Sequence, residues 1–231
     1  MIMMKHIRYI IFAAMSMMIC ACSRDEEPEV LGSLFLGDGG EAKVLSYEAV
    51  DLGLSVKWAD CNLGGLKSWQ KCMFFAWGEI SEKKTYTWDN YLYYSPDNPS
   101  LLKYNLADGL RILGSKDDPV TALMGSKWRM PTGDELVELL ENCDWTISTR
   151  GSDKIITATS RKNGASIEFP LTGYKEGDSL KDAGVHGYIW SSELVKDTPS
   201  QAYIIDFNTR DNKVSIDVGD RALGLCVRGV R

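Results

Sequence analysis

Histidine is scarce in this 231-residue chain, which has only His6 and His186. His6 falls in an N-terminal leader, so a single imidazole in the glycine-flanked stretch DAGVHGYIW is left for acid–base work. A lone loop histidine of this kind reads as a surface residue, and no Gly-x-Ser-x-Gly elbow accompanies it to form a serine-hydrolase site. Paired cysteines at zinc spacing are also missing, since Cys61, Cys72, Cys143 and Cys226 lie far apart. In an oxidising compartment these four close up to two disulfides, in pairings the sequence does not separate; free buried thiols are the alternative. A basic excess is lacking too. The formal charge is −6, no stretch offers a basic patch for a phosphate backbone, and nucleic acid is excluded as a partner class. Finally, no apolar run reaches the roughly 20 residues that a membrane-spanning helix needs.

What the chain does have at its start is Lys5 and Arg8 ahead of an apolar run from Tyr9 to Ile19, the layout of a secretory signal peptide. The run ends in Ile19-Cys20-Ala21-Cys22, which resembles a bacterial lipobox and makes Cys22 the expected lipidated N-terminus, with residues 1–21 removed. Loss of Lys5 and Arg8 takes the formal charge from −6 to −8. Residues 22–48 read as a tether. Ser23-Arg24-Asp25-Glu26-Glu27-Pro28-Glu29 cannot bury apolar surface, and 30–48 mixes glycine, small apolar and charged residues without periodicity. An acidic tract directly after the lipidated cysteine resembles the export signal that sends Bacteroidetes-type lipoproteins to the outside of the outer membrane. The alternative is a spacer facing the periplasm.

From Ala49 the composition shifts to short apolar or alternating runs broken by Gly, Asn, Asp and Pro, so the folded domain is expected over 49–231. Asp117-Asp118-Pro119 ahead of VTALMG predicts a short helix over 119–124. Thr132-Gly133-Asp134-Glu135 is a capping box, and Leu136, Leu139 and Leu140 follow at helical spacing. Glu135, Glu138 and Glu141 recur every third residue and read as the solvated face of that helix. Strands are expected over 55–59, 72–78, 154–160, 165–171, 187–193, 202–207, 213–218 and 223–230, with hairpin turns at Asn163-Gly164 and 208–212. Few short helices with hairpins after them predict an α+β domain built on antiparallel sheet.

Six phrases in order then resemble one family: VDLGLSVKWADCNLG (50–64), FFAWGEISEKKTYTWDNY (74–91), GSKWRMPTGDELVELLENCDW (125–145), NGASIEFPLTGY (163–174), GYIWSSE (187–193) and VRGVR (227–231). The family is the Fibrobacter succinogenes major paralogous domain, common in surface lipoproteins of Bacteroidetes-type bacteria. The resemblance implies a C-type lectin-like fold: a curved antiparallel sheet, two short helices and long loops that carry any binding site. Kinship in fold leaves function to the site. The chain departs from the family at Cys72 and Met73, where a glycine and an aromatic residue are usual, at Gly229 in place of proline, and over 95–118.

The sugar-binding tripeptides of calcium-dependent lectins, Glu-Pro-Asn or Gln-Pro-Asp, do not occur, and no metal or cofactor is expected. The formylglycine-generating enzymes of the same superfamily work with two cysteines near the C-terminus. Here only Cys226 stands there, within an apolar strand, and it reads as a core thiol. Trp58, Trp77, Trp128 and Trp190 read as core. Trp69, Trp88, Tyr91, Tyr93 and Tyr94 lie in polar, loop-like surroundings and are the candidate ligand contacts, with ordinary packing under long loops as the alternative. The expected function is non-catalytic: a lipid-anchored surface protein that binds an extracellular glycan or protein. The alternatives are a structural component of a surface assembly and an enzyme of the formylglycine-generating type.

Overall fold

The computed structural model describes residues 46–231, apart from 69 and 71. The expected leader, Cys22, most of the tether and Trp69 lie outside the described residues. The domain opens with β1 (Ala49–Val50) paired to β2 (Trp58–Ala59). A long irregular stretch follows, interrupted by a 3-10 turn (Trp88–Asn90) and a small hairpin of β3 (Tyr94–Ser95) and β4 (Ser100–Leu101). Two helices, α1 (Pro119–Met124) and α2 (Gly133–Asn142), lead into a three-stranded sheet of β5 (Cys143–Arg150), β6 (Asp153–Ser160) and β7 (Ser166–Pro170). A projecting hairpin of β8 (Tyr174–Glu176) and β9 (Ser179–Lys181) precedes a second three-stranded sheet of β10 (His186–Leu194), β11 (Gln201–Asn208) and β12 (Lys213–Asp220). All these strand pairs are antiparallel, so the domain is of the α+β class.

Both helices start where local chemistry demands. Asp118 caps α1 by accepting the backbone N–H groups of Val120 (2.8 Å) and Thr121 (3.1 Å), with proline at the first helical position. In α2 the Thr132 hydroxyl accepts Glu135 N–H (3.3 Å) and the Glu135 carboxylate accepts Thr132 N–H (2.8 Å), the expected box. Leu136 and Leu139 then bury completely. The glutamate face is less solvated than expected: Glu135 also binds the Arg129 guanidinium through both its terminal nitrogens, and Glu138 accepts Ser55 N–H. Only Glu141 is exposed as expected.

The two three-stranded sheets meet through aromatic side chains. Phe169 of β7 lies 4.6 Å from Phe207 of β11, and Trp145 of β5 stands 6.0 and 5.6 Å from the two. Trp58, Trp77, Trp128 and Trp190 are all buried. The expected strand over 223–230 is not regular. Its backbone bonds in turn to separate segments: Leu225 to Phe75, Cys226 to Trp190, Val227 to Leu63, Gly229 to Ala59 and Val230 to Arg129. The stretches expected as strands over 55–59 and 72–78 supply two of these partners, Ala59 and Phe75, and yield only β2 and a single bridge at Phe75.

Candidate functional site

The aromatic run after Trp77 is brought together, but it faces inward. Tyr91 is buried; its hydroxyl donates to the Trp77 carbonyl (2.7 Å) and accepts from Arg221 Nε (2.8 Å). Tyr93 is buried and donates to the Gly78 carbonyl (3.1 Å). Trp88 and Tyr94 are half-buried and pack on this group, with Trp88 5.6 Å from Tyr91 and 5.3 Å from Tyr94. The expectation that Tyr91 and Tyr93 offer exposed contact faces is therefore corrected. A fully buried Arg221 guanidinium needs acceptors and π-faces, and the rings of Trp77 (4.7 Å) and Tyr91 (5.2 Å) surround it.

The cysteines are corrected in the same way. Cys226 is bonded to Cys72 in a disulfide with a Cα separation of 6.1 Å, so it is not the free core thiol expected. Cys61 and Cys143 are free and buried. Burial pushes the Cys61 thiol up to about 12 and the Cys143 thiol to about 11, which leaves both protonated and unreactive at neutral pH.

A cleft of about 240 Å³ opens instead on the sheet of β10 to β12, lined by Tyr174, Tyr188, Asp182, Asp206, Asp217 and Leu225 among others. The register builds it. Tyr188 pairs with Asp206 across β10 and β11, and Asp217 stands opposite Ile204 on β12, so the three project from one face. Tyr174, on the projecting hairpin, meets Tyr188 edge to face at 5.7 Å, and Asp182 follows β9.

His186 braces the cleft from the edge. Its ring stacks on Tyr188 (5.4 Å, 10°), and its Nδ1 lies 2.8 Å from Asp206 Oδ1. The histidine expected to be a surface residue is thus half-buried at the start of β10 and partnered. Burial raises the Asp206 carboxyl above its ordinary range against the pull of His186, and repulsion from Asp217 and Asp182 adds to the rise. The Tyr188 phenol is raised by burial and then by Asp206, Asp182 and Asp217.

No lysine or arginine lines this cleft. Its tyrosine rings offer flat apolar faces, and its carboxylates accept from hydroxyl or N–H donors. A larger cleft of about 660 Å³ beside Trp128 holds Asp118, Arg129 and Thr132. Those groups are engaged in the fold, since Asp118 accepts three backbone N–H groups and Arg129 binds Glu135. Among the described residues no group of three or more His, Cys, Asp or Glu is placed to hold a metal ion.

Sequence reasoning passed over this cleft because its parts come from four strands. One signal was present: Asp206 and Asp217 are single carboxylates inside the apolar runs AYIIDF and KVSIDV, and such residues on a half-buried sheet need a reason. No family model, curated protein or solved structure matches the chain.

Proposed function

We propose that the chain is a lipid-anchored cell-surface protein whose C-type lectin-like domain binds an extracellular glycan or protein ligand without catalysis. The reading rests on the lipobox and acidic tether, and on the resemblance to the Fibrobacter succinogenes major paralogous domain. The observation that carries it is the cleft of Tyr174, Tyr188, Asp182, Asp206 and Asp217, which offers ring faces and acceptors at the surface. The Cys72–Cys226 disulfide supports an oxidising, extracytoplasmic location. The site differs from the aromatic run first expected, where Trp88 and Tyr94 keep only partial exposure.

The test is a glycan array and a surface-protein pull-down with the chain from residue 23, beside Tyr188→Leu and Asp206→Asn. Each substitution is expected to weaken the captured ligand about tenfold or more while leaving the fold intact. Blank results on both assays from folded protein overturn the reading, and undiminished binding by both variants overturns the cleft as its site.

A second reading, a packing module of a surface assembly, is favoured by one observation. Leu92, Leu102, Leu106, Leu110 and Ile112 are all exposed along one stretch, with Leu106 at 71%. Copurification of a stoichiometric complex from membranes, lost when Leu106 and Leu110 become serine, is the outcome expected of it. For the reading as a formylglycine-generating relative, Cys226 is buried and its bonded partner is Cys72, not a second cysteine near the C-terminus.

A further inference from the structure

The two three-stranded sheets end in four edge strands, β5, β7, β10 and β12. An open edge is a row of unpaired N–H and C=O groups, and folds blunt it with cover, proline, lysine, a bulge or a short strand. Three of these edges are managed. β10 is covered: Ile189 bridges Cys226, and the Ser192 carbonyl accepts Leu113 N–H (2.9 Å). β7 is short, ends at Pro170 and gives its Glu168 carbonyl to Arg228 Nη2 (2.7 Å). β12 carries Asp217 and Asp220, and its Val218 N–H is taken by the Asp217 carboxylate (2.8 Å). β5 has none of these devices. Its sequence CDWTISTR holds no proline, lysine or glycine, and all 8 residues pair with β6 without a shift.

The register fixes which β5 groups face outward. Arg150 and Asp153 close a two-residue turn, and Arg161 N–H bonds the Asn142 carbonyl (2.9 Å), so the even-numbered residues of β5 exchange hydrogen bonds with β6. Ser160, opposite Cys143, agrees with this by donating its N–H to Ala165 on the β7 side (2.8 Å). Trp145, Ile147 and Thr149 therefore turn their backbone N–H and C=O groups away from β6. Among the described residues no hydrogen bond reaches those groups, and Thr146 to Arg150 are all exposed.

Charge selects the occupant. Asp144 and Arg150 stand at opposite ends of β5 on one face, where Asp144 binds Arg161 and Arg150 binds Glu168 (both 3.1 Å). A second β5 laid antiparallel about a two-fold axis at Ile147 sets Asp144 against the partner's Arg150 at both ends, extending each pair into a row of alternating charge. The same register matches Trp145 with the partner's Thr149 and Ile147 with its own copy, so every outward backbone group meets a counterpart. A parallel second copy leaves like charges as neighbours. On the other face Ile147 is 40% exposed and lines a cleft of about 210 Å³ with Trp145, Ile156 and Val214, where the two Ile147 side chains would meet.

We propose that β5 is a self-association edge, on which a second copy of this chain adds its own β5 antiparallel about Ile147 and joins two three-stranded sheets into one. Sedimentation of the full-length chain in density-matched detergent is expected to show a concentration-dependent dimer. Ile147→Pro deletes an outward N–H, leaves the β6 ladder intact and is expected to abolish the dimer. Asp144→Lys sets like charges together at both ends and is expected to weaken the dimer about tenfold, on a side chain 70% exposed and so tolerant of change. Directly opposed residues of a hydrogen-bonded pair stand about 5.5 Å apart at Cα, within disulfide reach, whereas Thr149 faces the partner's Trp145. Under mild oxidation Ile147→Cys is therefore expected to give a linked dimer on a non-reducing gel, and Thr149→Cys is not. A monomer at every concentration, a dimer undiminished by both Ile147→Pro and Asp144→Lys, or equal linkage through Ile147→Cys and Thr149→Cys overturns the proposal. A strand of another protein on β5, with the chain itself monomeric, overturns it as well.

Discussion

Glu135 carries three bonds on one carboxylate: it closes the capping box of α2 and grips both terminal nitrogens of Arg129 at 2.7 and 2.6 Å. Burial pushes its carboxyl up, but the Arg129 and Thr132 bonds outweigh this and hold it below the ordinary glutamate range. A carboxyl with a lowered folded value stabilises the fold above its unfolded value, and that contribution fades as pH falls through the folded one. Glu135→Gln is therefore expected to cost about 1–2 kcal/mol at neutral pH, since the carboxylate is 13% exposed but its Arg129 partner is 44% exposed and partly screened by solvent. Denaturant unfolding from pH 7 to pH 3 checks the sign. The gap between parent and variant narrows as acid protonates the parent, and a gap independent of pH rules out a charge-based role. At the same scale, the exposed-aromatic expectation failed for a residue-level reason. Tyr91 and Tyr93 alternate with exposed Leu92, a strand-like pattern that turns the tyrosines inward. What makes tyrosine the inner residue is Arg221, 130 positions away from Tyr91, and no local pattern announces such a partner.

Elements differ in how much of their cause is local, and this decided what could be read from sequence. The helices were legible because Asp118-Pro119 and Thr132-x-x-Glu135 act within four residues. Strands β6, β7, β10, β11 and β12 were legible from β-branched runs between turns, within one or two residues at each end. The segment 223–230 has the same composition but bonds in turn to Lys175, Phe75, Trp190, Leu63, Ala59 and Arg129, so its irregularity is set by tertiary contacts. Strand β5 was missed because its outer half is exposed and polar. The C-type lectin-like reading is a proposal that rests on resemblance, and the cleft needed the register of three strands. Turn glycines offer a test of the same distinction. Gly164, in the expected Asn163-Gly164 turn, has φ +76° and open space around an added Cβ. Gly173, which leads from β7 to β8 and the cleft, has φ +66°, and an added Cβ would overlap the Lys181 carbonyl and approach the Ala183 nitrogen to 2.6 Å. Gly164→Ala should cost about 1–2 kcal/mol for the left-handed backbone alone. Gly173→Ala adds a backbone clash and should cost about 4 kcal/mol or more, or prevent folding. Equal costs in equilibrium unfolding would show that backbone conformation, not crowding, governs both.

For the molecule as a whole, the first and last segments of the domain are one structural unit. Lys57 and Arg231 exchange backbone hydrogen bonds at 2.9 Å, and Ala59, Leu63 and Phe75 donate in turn to Gly229, Val227 and Leu225. The Cys72–Cys226 disulfide locks this seam across a sequence separation of 154 residues. Fastening ends so far apart removes much of the freedom of the unfolded chain. On loop entropy alone a closure of this length is worth up to about 5 kcal/mol, with native disulfides commonly delivering 2–5. Cys72→Ala is accordingly expected to lower stability by about 2–5 kcal/mol, and a reductant should bring the parent chain down to the same level. Cys61→Ala separates the bond from mere thiol loss. Cys61 is a free buried residue that donates to the Gly65 carbonyl (3.2 Å), so its removal costs some packing but leaves the sensitivity to reductant intact. Denaturant midpoints with and without reductant, beside a non-reducing peptide map joining the Cys72 and Cys226 peptides, decide the matter. Identical midpoints in the parent with and without reductant, or a map with both thiols free, would mean that hydrogen bonds and packing alone hold the seam closed.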